Sequence, residues 1–540
     1  MAAPQQHPQR SGPPLVVWLA GVLVAALALV PVVTLVARAV GTVRWQQLPP
    51  AIIMVPVLSN TLLLALITAI LSAVIGTVQA LLIEQCALWG RRVWRVLAVL
   101  PLAIPPYVAG ICALAVLRPH GAGEQWLVAQ GLMRTGTLPF GAIYGLGSTA
   151  VILALCLSPY VYLPVAAILR QGSGHLTEQA LLAGVRWPAR LWHITLPMVL
   201  PALLGGMALV LIYALGEYGL PSLLRLPTLS TAIYSRYGGA IDRSGAALFS
   251  VPLVVMSVGM LWLADRIGGS APHHQAALWR PRQLRTLGPA THAVVLVLLG
   301  LLSICALVVP VVVLFGMSSQ PAIHAAARHI SSGRLAGIAL QTFGAAALVA
   351  SITTLIALAP LQLMRTGGPA GRLIGRLSQS GSAMPGIVVA LSIVIVVHGG
   401  VPWLVGGMVP LVLAYIIRSI PQAIQSFAAA FAAIPPVFTE AARAMGATGP
   451  RVFWRILVPL AGPGLRAGWA LLCLGILKEL PATLLLKPVG FDTLAIRIWM
   501  STSDGLYGAA ALPALVLIAG ALVPVSMILQ SFFHHERTQG

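Results

Sequence analysis

EQALLAGVRWPARLWHITLP, from Glu178 to Pro197, returns as EAARAMGATGPRVFWRILVP, from Glu440 to Pro459. The two stretches align without a gap at an offset of 262 positions. Glu178, Gly184, Pro188, Trp192, Ile194 and Pro197 recur as Glu440, Gly446, Pro450, Trp454, Ile456 and Pro459. Three further pairs keep the same spacing: Pro201 with Pro463, Glu217 with Glu479, and Thr231 with Thr493. Matches at one fixed offset do not arise from composition, so the chain is an internal duplication. Nearer the N-terminus, Ile104-Pro105 answers Met384-Pro385 at an offset of 280. The first half therefore carries an extra 18 residues, which we expect in the loop 118–145.

Composition says what surrounds the repeat. Of 540 residues, 59% are apolar and 8% charged. A soluble domain carries roughly 25% charged residues because its surface faces water. A chain this poor in charge must face lipid. The net charge of +21 comes from bases scattered in short loops between apolar runs, such as Arg91, Arg92 and Arg95. Nucleic-acid binding needs bases gathered on one soluble face, and that reading is set aside. Scattered loop bases fit the positive-inside rule beside anionic lipid. The five cysteines are far apart and form no CxxC, which argues packing rather than a disulfide or zinc framework.

Crossing about 30 Å of hydrocarbon takes about 20 apolar residues. Such runs lie near 15–36, 57–83, 96–116, 146–169, 197–217 and 246–264. In the second half they lie near 292–315, 340–363, 384–398, 403–417, 460–480 and 508–531. The first is too long for a cleaved leader and fits a first span. Each must be helical, since lipid offers an open backbone no partner. The fold class expected is an all-α polytopic membrane protein of about 12 helices, as two homologous six-helix domains.

With both termini cytoplasmic, the cytoplasmic segments hold more of the bases, Arg418 among them. The expected organisation is a tail 1–14, a first domain 15–266 and a polar, Pro/Gly-rich linker 267–290. A second domain 291–533 and a tail 534–540 follow. The repeated motifs fall in loops 170–196 and 418–458. Each opens as a short helix with Thr177 or Thr439 as candidate N-cap. A glycine, Gly184 or Gly446, then breaks it. A second short helix leads to Pro197 or Pro459 at the entrance of the next span.

The pattern of Glu440, Ala441, Ala442, Gly446, Ile456 and Pro459 resembles the EAA coupling loop of binding-protein-dependent ABC importer permeases. The first copy matches at Glu178, Ala180, Gly184, Ile194, Leu196 and Pro197. It departs at Gln179, where the family has alanine, and the second copy departs at Val458. The resemblance covers essentially the whole chain. It implies two type I importer (MetI-like) permease domains in the bacterial plasma (inner) membrane. It implies as partners two copies of an ABC ATPase subunit, docked on the two loops, and an extracytoplasmic solute-binding protein. No GxxxxGK[ST] phosphate cradle occurs, so ATP hydrolysis belongs to a partner and the chain itself is no enzyme. No HExxH, GxSxG or ligand cluster occurs, and no cofactor is expected.

Glu217, Tyr218, Lys478 and Glu479 are candidates for the translocation path. Acids at membrane depth are costly and functional by default. The two glutamates would face each other across a pseudo-twofold axis, as transient contacts for a cation. The other reading is that they are span-edge acids snorkelling to the interface, with Lys478 neutralising its neighbour. The segment Lys478–Trp499 resembles the same region of ferric-iron permeases, so ferric iron is the leading cargo. Fused permeases of this layout also serve thiamine and 2-aminoethylphosphonate. An ion-driven secondary transporter is the rival class, but it calls for ionisable relays deep in several spans.

Overall fold

The computed structural model describes residues 13–41, 50–118, 121–131, 134, 143–171, 179–180, 182–239, 243–268, 284–319 and 332–537. Glu178, Thr177 and the middle of the linker lie outside them. Among the described residues the chain is helical, with one isolated backbone bridge, between Cys86 and Arg285.

Among the described residues, twelve apolar helical segments appear, six per half. Seven helices are individually long and apolar enough to cross a membrane. Three more segments are bent pairs, and two are the shorter helices Gly245–Met260 and Gly386–Gly400. In the first half the main helices are α1 (Leu15–Gly41), α2 (Ala51–Gln85) and α3 (Pro106–Leu117). Then come α4 (Leu146–Leu157), α5 (Pro159–Gln171), α6 (Leu196–Gly216) and α7 (Arg243–Gly268). The second half opens with α8 (Pro289–Ser303), continued by Val309–Ser318, then α9 (Ser332–Thr366) and α10 (Gly386–Gly400). It ends with α11 (Met408–Ala432), α12 (Pro436–Ala444), α13 (Gly462–Leu477) and α14 (Tyr507–Arg537).

Four expected spans change shape, of which 146–169 bends least, by 41° between α4 and α5. The run 96–116 is not straight: Arg91–Ala103 meets α3 at 95°, and Pro105-Pro106 sits at the corner. Helix α3 alone rises only about 18 Å, short of the hydrocarbon thickness. It tolerates this because residues 106–112 are all buried among other helices rather than in lipid. The run 403–417 extends as α11 to Ala432, so Arg418 stands inside a helix and not in a cytoplasmic segment. The eleventh segment bends by 72° between Gly449–Leu460 and α13. The sequence Gly462-Pro463-Gly464 stands at that break. The repeat mate reads Leu200-Pro201-Ala202, and α6 runs straight through it. The extra residues of the first half include a helix, Ala122–Ala129, where the second half has only the turn Pro402–Leu404.

The halves exchange their first helices. Helix α1 lies against α9 and α10 of the second half, while Val309–Ser318 lies against α3 of the first. Ser380 Oγ donates to Ala28 O across that seam at 3.1 Å. One continuous apolar core therefore joins both halves.

The same joint is built two ways. At the end of α2, Glu84 is fully buried and receives Arg95 through Nε at 2.9 Å and Nη2 at 2.8 Å. Arg91 Nη2 adds a third contact at 2.9 Å. At an offset of 280, Glu84 becomes Met364 and Arg95 becomes Gly375. There a Cβ on Gly375 would collide with the Met364 side chain, so close approach replaces the ion pair. Removing Glu84 takes two charge-assisted hydrogen bonds from Arg95, which is 4% exposed. We expect Glu84→Ala to cost about 3–5 kcal/mol, read as a lower thermal midpoint in detergent. Glu84→Met combined with Arg95→Gly, which copies the other half, is expected to recover most of that loss.

Candidate functional site

The repeated loops share one geometry. In the second copy, α12 begins at Pro436 with Pro435 as its cap, so Thr439 is not the cap. Its hydroxyl instead bonds back to Pro436 O at 2.8 Å. Glu440 therefore lies a turn inside the helix, exposed, rather than at its start. The helix closes as its sequence dictates. Gly446 adopts φ +80° and Gly184 adopts φ +71°. Ala447 N–H reaches Ala442 O at 3.0 Å, and Gly446 N–H reaches Arg443 O at 2.9 Å. That pair of bonds is a Schellman closure, which needs a left-handed residue. Val185 N–H reaches Ala180 O at 2.9 Å in the first copy.

Beyond the glycine, both copies carry a π turn at matched positions, Leu191–Thr195 and Phe453–Leu457. Each ends just before a proline, Pro197 or Pro459, whose ring cannot fit the regular hydrogen-bond ladder. Ala442 is 2% exposed and Ala180 8%, so these two alanines face inward. Phe453 stacks on Phe431 of α11 with centroids 5.4 Å apart, which ties the loop to a span. Glu440, Ala441 and both glycines face outward, beside the exposed apolar residues Leu182, Val437, Phe438 and Met445. Ile194 and Ile456 are half-buried; Pro197 and Pro459 are exposed.

Between the halves lies a cavity of about 710 Å³. Helix α6 lines it from Pro201 to Gly216, a rise of about 22 Å. Tyr160 and Tyr213 line the first-half side; Gln422, Gln425 and Tyr415 line the second. Tyr415 Oη and Thr483 Oγ1 share a hydrogen bond of 2.6 Å. At the end of the cavity farthest from the repeated loops, the charged residues gather around a second space of about 30 Å³. That is room for at least one water. Glu217, Arg418, Lys478, Glu479 and Tyr107 all line it.

The glutamates sit at equivalent corners. Each follows the last turn of a fifth-span helix and caps a short helix beyond. Glu217 Oε1 accepts from Leu220 N–H at 3.2 Å, and Glu479 Oε1 accepts from Ala482 N–H at 3.3 Å. Glu479 is 4% exposed and ion-paired with Arg418, so it is no snorkelling surface acid. Lys478 does not neutralise its neighbour. Its Nζ donates to Leu102 O of the other half at 3.0 Å. Tyr218 is buried and stacks across the seam on Trp499, with centroids 5.2 Å apart. Sequence reasoning missed Arg418, because an isolated arginine after an apolar run reads as a loop residue. Its signal was the Gln- and Ala-rich run 422–432 after it, which carries the helix on past Pro421.

Comparison with known proteins adds two kinds of finding. A family model described as "Binding-protein-dependent transport system inner membrane component" matches residues 86–270 and 350–535, once per half. The Fe(3+)-transport system permease protein FbpB 2 of Haemophilus influenzae is 27% identical over 530 residues, covering 96% of this chain and 99% of that one. The ferric transport system permease protein FbpB of Actinobacillus pleuropneumoniae is 20% identical, covering 89% of this chain and 71% of that one. The sulfate transport system permease protein CysT of Escherichia coli is 31% identical over 160 residues, 29% of this chain and 54% of that one.

A side chain at Gly446 meets no neighbour, so its cost is purely conformational. We expect Gly446→Val to cost about 1–2 kcal/mol locally, and more for its β-branch than Gly446→Ala. Limited proteolysis of the folded protein should cut faster within 433–449. Gly462→Ala, at a glycine with open space and ordinary φ, should leave the cutting rate unchanged.

Proposed function

Because the chain belongs to the family of binding-protein-dependent transport system inner membrane components, it is a multi-pass permease of an ABC importer, and we propose that its cargo is ferric iron. Two permease domains in one polypeptide form the path. An extracytoplasmic solute-binding protein delivers the cargo. Two copies of a separate ATPase subunit dock on the repeated loops at Glu178 and Glu440 and drive the cycle. Both termini lie in the cytoplasm.

The observation that carries the cargo is the similarity over nearly all of both chains to a permease named for Fe(3+) transport. The docking reading draws on the loops themselves. Leu182 is 90% exposed and Met445 81%, and nothing in the described chain covers them. Apolar side chains beside an exposed glutamate make a face for a partner helix groove. Ala442 and Phe453, on the inner side, would pass a displacement of that face to α11 and α13. In this reading the paired halves rock about the cavity, and Glu217, Tyr218, Lys478 and Glu479 meet the cargo at its far end. Carboxylates and phenols are hard oxygen donors suited to a hard cation.

Two measurements test this. Cells carrying the chain with its ATPase and binding protein should accumulate ⁵⁵Fe, and an ATPase variant unable to hydrolyse ATP should abolish it. Accumulation that persists with the dead ATPase would instead support an ion-driven transporter. Met445→Asp together with Leu182→Asp, which buries charge in the docking face, should remove the ATPase from the purified complex while leaving the permease monodisperse. Unchanged co-purification would rule the face out.

A further inference from the structure

The second half supplies both bases of the central cluster, and the repeat shows what the first half has instead. Arg418 and Cys156 are 262 positions apart, and both line the small space beside the acids. Lys478 and Gly216 are likewise mates. A duplicated path with two equivalent acids thus carries a guanidinium on one side and a thiol on the other. The two acids differ accordingly. Glu479 is ion-paired with Arg418, while Glu217 has no ion pair among the described residues. Lys478 is committed to the Leu102 carbonyl. Tyr107, 2% exposed, lines the same space, and its hydroxyl has no hydrogen-bond partner.

Arg418 is not a fixed structural ion pair. Its side chain is 29% exposed and reaches the large cavity, whose wall it shares with Glu479. The guanidinium also lies 5.7 Å from the ring centroid of Tyr213 in the first half. It can therefore leave the carboxylate without leaving the cavity. Two acids balanced by two bases present no net charge to a cation entering from either side, which removes the attraction a bare acid pair would exert.

We propose that Arg418 is a tethered counter-cation that sets specificity: it masks the carboxylates at the closed end of the cavity, so that cationic cargo reaches them only by displacing its guanidinium. A cation of low charge density cannot compete with a bidentate-capable guanidinium for the carboxylate, whereas one of high charge density can. The masking itself is independent of the identity of the cargo; its consequence for import rests on the reading of this cavity as the path.

The test uses terbium(III), a trivalent cation much larger than iron(III) and so of lower charge density, which the guanidinium is expected to hold off and whose luminescence is sensitised by nearby tyrosine. The full chain is placed in phosphatidylcholine nanodiscs, which carry no net lipid charge. We expect the wild type to show no saturable signal at micromolar terbium. Arg418→Gln and Arg418→Met should each gain a site, roughly tenfold or more tighter, because two acids then share the space with one base. Arg418→Gln combined with Glu479→Gln should lose it, and Arg418→Lys should stay dark. A monodisperse Arg418 variant without a gained site would overturn the proposal. The wild-type titration decides on its own if those variants do not fold: a wild-type signal that disappears in Glu479→Gln overturns masking, and a dark wild type supports it. Loss of ⁵⁵Fe uptake is a separate readout, so a failed iron assignment leaves the terbium result standing.

Discussion

Hydrocarbon offers neither hydrogen bonds nor counter-ions, and every feature of this chain answers to that shortage. The backbone meets it by closing into helices. Two buried glutamates meet it by pairing, Glu84 with Arg91 and Arg95, and Glu479 with Arg418. Irregular backbone is kept where protein surrounds it. Residues 106–112 of α3 and the first turns of the short helices after Glu217 and Glu479 are largely buried in protein.

Duplication supplied the scaffold, and departures from it supplied the differences. The exchange of first helices locks the halves into one body. The π turns, the left-handed glycines and the two capping glutamates recur at matched positions, because each solves a backbone problem common to both copies. The side chains around them diverge. One joint is an ion pair and its mate is a glycine against methionine. One cavity wall carries two tyrosines, and the other carries glutamines beside Tyr415. One half brings both bases to the centre.

The loops connect this interior to the outside. Ala442 and Phe453 sit on the core side of the second loop, and Glu440 and Met445 on the other. The stacked Phe431 and Phe453 rings join this loop to α11, the helix that carries Arg418.

Much of this was legible in residue order. The apolar runs, the fixed offset and the loop glycines are local or periodic signals, so the all-α class, the twofold repeat and the loop closures followed from sequence alone. The candidate acids at 217 and 479 were legible too, since an acid between apolar runs stands out. What sequence could not supply was who faces whom. The partner of Glu479 is 61 positions away on another helix, and the adjacent Lys478 turns to the opposite half. The 95° corner before α3 and the exchange of first helices were equally hidden. Periodicity fixes which residues form a helix and which of its faces is apolar. It carries no information on which helix meets that face, because in lipid one apolar face resembles another until the helices are assembled and their few polar groups find each other.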